Sequence, residues 1–178
     1  MTERIIIAGS GGQGVMLLGK VLAEGALLEN KFVTWLPAYG PEVRGGAAHC
    51  MVTISDDEIG SPHIDQADAL IIMNQLSLDK FKGRLKNTGL IVVNSSLAKP
   101  DKSIKAKTIS GKFTDIAIGL GNIKVANMVA LGSYLAAKRI VSPENILKVI
   151  QEMAPKDKPE LLQVNIAAFK KGTEFKHG

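Results

Sequence analysis

The chain has 178 residues, 46% apolar and 22% charged, a length that fits one domain and an apolar content that excludes a disordered chain. Its formal charge of +5 is scattered, and the densest cluster, Lys99 to Lys112, is broken by Pro100, Asp101 and several Ser and Thr, with aromatics only 4% of the chain. A nucleic-acid reader concentrates its cations and interleaves stacking rings, so this pattern predicts a solvated face and no nucleic-acid partner, leaving attraction to an anionic ligand open.

Arg4 to Gly9 predicts a buried strand, because the run Ile5-Ile6-Ile7-Ala8 ends abruptly in glycines. The run is too short for a signal-peptide core, and no stretch approaches the roughly 18 apolar residues of a membrane span. A cytoplasmic protein without membrane contact is expected. From Gln13 to Glu29, Val15, Leu18, Val21, Leu22 and Ala26 recur at the spacing of an amphipathic helix. Phe32 to Leu36 reads as a second strand, so the opening predicts a parallel βαβ unit with a right-handed crossover.

Pro37 to Gly46 holds two prolines and three glycines and predicts a shaped loop. Ala47 to Ser55 returns to a strand. It contains Cys50, the only cysteine, so no internal disulfide can form and no Cys-x-x-Cys spacing exists for zinc or an iron-sulfur cluster. Any such cluster must belong to a partner. His49 beside Cys50 suggests a nucleophile pair, but neighbours on a strand point to opposite faces.

Ala69 to Met73 and Leu90 to Val93 predict further strands, separated by a helical stretch around Ser77 to Leu85. Asn74 and Asn94 follow these strands directly and would stand at their carboxyl ends, where open α/β sheets hold ligands. The last third predicts helices over Lys124 to Lys138, from Pro143 behind a Ser142 cap, and over Glu160 to Lys171. Asn122 reads as a cap, whereas Asn127 lies inside a helix, where asparagine is a poor former, and so calls for a polar partner. His63 and His177 fall in a turn and a tail without a carboxylate cluster, so no metal site is expected. The six Met and Trp35 read as packing. With no repeat and no linker, residues 1–178 predict a single Rossmann-like α/β domain: a doubly wound, mainly parallel sheet with helices on both faces.

Two glycine-rich loops carry the chemistry. Gly9-Ser10-Gly11-Gly12-Gln13-Gly14 follows a strand and opens a helix, a setting in which the backbone approaches a ligand closely and the helix start offers N–H groups to an anion. A dinucleotide fingerprint would also need an acid about twenty residues on. The second strand, Phe32-Val33-Thr34-Trp35-Leu36, contains none, nor a basic substitute. A P-loop would need Lys and Ser/Thr where Val15 and Met16 stand. An anion site and a tight turn that binds nothing both remain open. The second loop, Tyr39-Gly40-Pro41-Glu42-Val43-Arg44-Gly45-Gly46, either closes a Glu42–Arg44 salt bridge or offers the forked guanidinium to phosphate or carboxylate.

Together these loops resemble the gamma subunit, or gamma domain, of 2-oxoacid:ferredoxin oxidoreductases. Met73-Asn74-Gln75, the strand into Asn94-Ser95, and the segment from Asn122 through Asn127-Met128-Val129-Ala130-Leu131-Gly132 are similar to that family in order and spacing. The run Gly45-Gly46-Ala47-Ala48-His49-Cys50, with Ile54-Ser55-Asp56 and Ile59-Gly60-Ser61-Pro62, resembles the 2-oxoglutarate type most, with the branched-chain and indolepyruvate relatives left open because this subunit need not carry the acyl-specificity pocket. The resemblance implies oxidative decarboxylation of a 2-oxoacid with coenzyme A, giving acyl-CoA, carbon dioxide and reduced ferredoxin. It implies a complex using thiamine diphosphate, Mg2+, iron-sulfur clusters and coenzyme A, with none of these bound by this chain alone and no catalytic residue on it. Alpha and beta subunits, with delta a further candidate, and ferredoxin through the complex are the implied partners. A homodimer is the candidate state of the isolated chain. The implied ligand-binding positions are Gly9, Gly11, Gly12, Gln13, Gly14, Glu42, Arg44, Gly45, Asn74, Asn94 and Asn127. Outside the resemblance, the alternatives are a stand-alone nucleotide- or acyl-CoA-binding module and an NAD(P) oxidoreductase.

Overall fold

The computed structural model describes residues 1–38 and 47–175. Glu42, Arg44, Gly45 and His177 lie outside the described residues. The strands are β1 (Thr2–Gly9), β2 (Phe32–Ala38), β3 (Ala48–Ser55), β4 (Ala67–Ile72), β5 (Leu85–Asn94) and β6 (Lys107–Gly111). The helices are α1 (Val15–Leu27), α2 (Gln75–Phe81), α3 (Phe113–Gly119), α4 (Ala126–Ala137), α5 (Pro143–Met153) and α6 (Pro159–Thr173). One six-stranded sheet runs β2-β3-β1-β4-β5-β6.

Ile5, Ile6, Ile7 and Ala8 are all fully buried, because β1 sits inside the sheet and both its faces are covered. A strand in that position reads as a continuous apolar run rather than an alternation. Ile5 and Ile7 pack with α1 and α3 to α6, while Ile6 and Ala8 pack with Leu78 and Phe81 of α2 on the opposite face. Helices therefore cover both faces, but unequally.

β1 and β2 run parallel, as the strand-helix-strand opening predicts, but they are not neighbours, because an antiparallel strand lies between them. β1 and β4 are parallel, as are β4, β5 and β6. β3, however, pairs antiparallel with both β1 and β2. The chain leaves β1, crosses through α1 to the edge strand β2, and folds back as a hairpin, so β3 fills the gap. Strand direction is set by the hairpin and not by residue pattern, which is why an apolar run could not reveal it. β2 also runs two residues further than expected, with Pro37 opposite Cys50. Proline lacks the N–H a central ladder needs but is tolerated on an edge strand.

β6 and α3 were not anticipated. Only Ile109 and Gly111 of β6 are buried, so this short strand shows little apolar signal. Exposed Lys107 and Thr108 belong to its edge, where a charge discourages pairing with other chains. On α4, Tyr134 is fully buried and donates its hydroxyl to Glu3 Oε1 at 3.2 Å, and Lys138 Nζ reaches the same oxygen at 2.5 Å. This bond pair fastens α4 to the start of β1. At the other end of α1, Glu29 accepts from Ser142 N at 2.6 Å and from Asn145 Nδ2 at 3.1 Å. The expected Ser142 cap is present as well, accepting from Asn145 N. Among the described residues no helix is long and apolar enough to cross a membrane.

Candidate functional site

The connections from β1 and β4 leave toward opposite sides of the sheet, so their carboxyl ends form the switch point where an α/β sheet opens a crevice. The glycine loop occupies that point. After Gly9 the chain turns, with Gln13 N donating to Ser10 O at 3.2 Å. Gly12 and Gly14 take φ of +87° and +69°, a region that favours glycine. Gly14 is the N-cap of α1, and no side chain caps that helix.

The loop is stitched down by its neighbours. Gln13 Oε1 accepts from Ser10 N at 2.7 Å, and its Nε2 donates to Met73 O at 3.2 Å, just beyond β4. Asn74 donates through Nδ2 to Ser10 Oγ and caps α2 by accepting from Ser77 N at 2.9 Å. Asn127 Nδ2 donates to Gly14 O at 3.1 Å, and its Oδ1 accepts from Met128 N at 2.8 Å. That carbonyl is the polar partner expected for Asn127, which stands in the first turn of α4. A Cβ on Gly14 would strike the Asn127 carboxamide, and one on Gly9 would lie 2.6 Å from Gln13 Oε1 and 2.9 Å from Met73 Cβ. Gly9 and Gly14 are thus needed for packing.

In front of the loop lies a cleft of about 310 Å³ lined by Gly11, Gly12, Gln13, Met73, Leu97, Thr114, Ile123, Lys124 and Ala126. Of the expected ligand positions, Gly11, Gly12 and Gln13 face it. Gly9, Gly14 and Asn74 shape the loop beside it. Asn94 and Asn127 do not line it. Asn94 is fully buried, donates to Met73 O at 3.2 Å and Thr114 Oγ1 at 2.8 Å, and accepts from Thr114 N. Asn127 is 2% exposed with both carboxamide atoms engaged. Both stand behind the cleft wall, because a buried carboxamide must satisfy itself within the protein. Asn122 caps the turn that carries Ile123 and Lys124, accepting from Lys124 N at 3.0 Å. Sequence reasoning missed Leu97, Thr114, Ile123 and Lys124. For Ile123 and Lys124 the one local signal was the Asn122 cap, which marks an ordered turn without saying what it faces.

The cleft offers backbone from two glycines and the Lys124 ammonium, set among Met73, Leu97, Ile123 and Ala126. Among the described residues its lining holds no carboxylate, thiol or imidazole. Such a surface suits an anion joined to an apolar stem. Among the described residues no group of three His, Cys, Asp or Glu is placed to hold a metal.

His49 and Cys50 diverge as expected. The imidazole packs on the Phe81 ring, centroids 4.8 Å apart, while Cys50 lies in the core under α1 and donates from Sγ to Val15 O at 3.5 Å. Burial pushes the Cys50 thiol up to about 12. A cluster ligand or nucleophile must be a thiolate, so this residue suits neither role. We expect no labelling of native protein by iodoacetamide at pH 8 and stoichiometric labelling after unfolding in guanidinium. Because the neutral thiol is the form held by the fold, stability from this residue is complete below the ordinary thiol range and declines as pH rises toward 12. Labelling of the folded chain at pH 8 would refute the burial.

Fold and cleft define a doubly wound α/β domain with a cleft at the carboxyl ends of β1 and β4. Residues 4–175 match the pyruvate ferredoxin/flavodoxin oxidoreductase family, and the chain belongs to that family. It is 36% identical to the 2-oxoglutarate synthase subunit KorC of Methanocaldococcus jannaschii, covering 98% of this chain and 94% of that protein. It is 33% identical to the ketoisovalerate oxidoreductase subunit VorA of Methanothermobacter marburgensis, matching 97% of this chain. The chain spans only about a third, 36%, of that relative's length. The crystal structure of a keto/oxoacid ferredoxin oxidoreductase gamma subunit from Geobacter sulfurreducens superimposes with a TM-score of 0.84 at 33% identity, covering 97% and 96% of the two chains. The resemblance to gamma subunits therefore holds in sequence and in fold.

Proposed function

We propose that this chain is the gamma subunit of a 2-oxoacid:ferredoxin oxidoreductase and that its cleft receives coenzyme A within the assembled complex. In that reaction a 2-oxoacid and coenzyme A give acyl-CoA, carbon dioxide and a proton, and the released electron pair reduces ferredoxin. The observation that carries this reading is the cleft itself. Gly11, Gly12 and Lys124 suit the phosphates of coenzyme A, and Met73, Leu97 and Ile123 suit its uncharged arm. Thiamine diphosphate, Mg2+ and the iron-sulfur clusters are proposed to sit on partner chains, as the family resemblance implies. Glu42, Arg44 and Gly45 are ligand candidates through the family resemblance.

The proposed substrate is 2-oxoglutarate. It rests on the run from Gly45 to Cys50 and on near full-length likeness to KorC. The similar identity to VorA supports a branched-chain 2-oxoacid as the second reading. Purification of the tagged chain with its partners tests both, by following viologen reduction with each acid in turn. In that complex Lys124→Ala is expected to raise the KM for coenzyme A roughly tenfold, the scale of losing one charge-assisted contact, with the KM for the 2-oxoacid unchanged. An unaltered KM for coenzyme A would remove the cleft from the reading.

A further inference from the structure

We infer that β2 pairs edge to edge with β2 of a second copy of this chain, antiparallel about a twofold axis at Thr34, so that the two sheets join into one. Among the described residues β2 has a neighbouring strand on one side only, β3. The N–H and C=O groups of its outer edge are open to another strand, and such an edge recruits one unless something guards it. The two edges of this sheet differ in that respect. β6 carries Lys107 and is bracketed by Lys105 and Lys112, whereas Phe32-Val33-Thr34-Trp35-Leu36-Pro37-Ala38 holds no charge at all. Phe32 and Leu36 are 45% and 36% exposed, and Leu27 and Leu28, at the end of α1 just before the strand, are exposed too. A single exposed leucine is ordinary, but four large apolar side chains on and beside one uncharged edge mark a contact surface.

The strand's own sequence selects a second copy as the occupant. Val33 and Trp35 pack on the core beneath α1, so Phe32, Thr34 and Leu36, which alternate with them, share the other face. With the axis at Thr34, Phe32 of each copy lies opposite Leu36 of the other, an aromatic–aliphatic cross-strand pair made twice. Pro37, which lacks an N–H, falls opposite Lys31 at the margin of the paired stretch, where no central bond is lost. Lys31 is already held by Asp56 of its own chain, so the join sets no unpaired charge against its copy. The same operation on β6 would set Lys107 and its neighbours against themselves. No residue of β2 lines the cleft, so the inference stands apart from the proposed function.

Sedimentation of the full chain over a range of concentrations should show a reversible dimer. Phe32→Lys/Leu36→Lys is expected to weaken it by about thirtyfold or more, as loss of a central contact does, while keeping the parent's circular dichroism. Leu76→Lys/Ile118→Lys, on side chains of α2 and α3 that are at least as exposed, should dimerise as the parent does. Should the edge variant not fold, an introduced thiol reads the register instead. Cys50 is buried, so the new thiol alone is within reach of diamide. Thr34→Cys should then form a disulfide-linked dimer, and Phe32→Cys, opposed by leucine, should not. A dimer that survives the lysine changes, or that links through Phe32→Cys but not through Thr34→Cys, would overturn the inference. A parent chain that stays monomeric would overturn it too, and would leave the proposed function as it stands.

Discussion

Replacing Gly132 by valine is expected to lower the unfolding midpoint by about 6–12 °C, corresponding to roughly 3 kcal/mol in a domain of this size. α4 and α6 cross with glycine against glycine. A Cβ on Gly132 would stand 2.9 Å from Gly172 Cα and Thr173 N and would run into the Phe169 carbonyl; one on Gly172 would stand 2.9 Å from Gly132 Cα and Ser133 N. These are backbone atoms, which cannot rotate aside as a side chain can, so α6 would have to withdraw and uncover Val129, Ala168 and Phe169. Valine's better helix propensity offsets well under 1 kcal/mol of this. Gly83→Ala is the control, since nothing lies within 4 Å of its Cβ; it should leave the midpoint nearly unchanged. Thermal unfolding by circular dichroism distinguishes them, and a Gly132→Val midpoint within 2 °C of the parent would contradict the close crossing.

The glycine loop should respond unequally to the same change at two positions. Gly12→Ala places a methyl in open space and meets only the backbone strain of φ +87°, about 1–2 kcal/mol. Gly14→Ala meets similar strain and also strikes the Asn127 carboxamide, displacing its bond to Gly14 O, for about 3 kcal/mol in total. Since Gly14 begins α1 beside the cleft, its alanine variant should also raise the KM for coenzyme A in the complex. The pairing can be isolated: Gly14→Ala with Asn127→Ala should destabilise by less than the sum of the single changes. Strict additivity in chemical denaturation would show that the two residues do not collide.

Such contrasts explain which parts of the protein were legible beforehand. β1 was readable because a strand covered on both faces is apolar at every position, and α1 because its buried stripe recurs at helical spacing. The glycine loop was readable because a strand, a tight turn and a helix start are consecutive along the chain. β6 and α3 were not, since Lys107, Thr108 and Ser110 stay exposed on an edge and leave too few apolar positions to show a period. Asn94 and Asn127 had the right residue type at the right sheet edge, but whether a carboxamide faces ligand or protein depends on what stands opposite. For Asn94 that is Thr114, twenty residues away; for Asn127 it is Gly14, from the start of the chain.

Local order along the chain was enough to specify the kind of fold, the position of the glycine loop and the likeness to a gamma subunit, because each follows from residues close together in sequence. The antiparallel placement of β3 and the union of Leu97, Thr114, Ile123 and Lys124 with the loop into one cleft arose only on folding. Pairing between strands and packing of helices on a sheet join positions far apart in the chain, and no short-range periodicity encodes those distances.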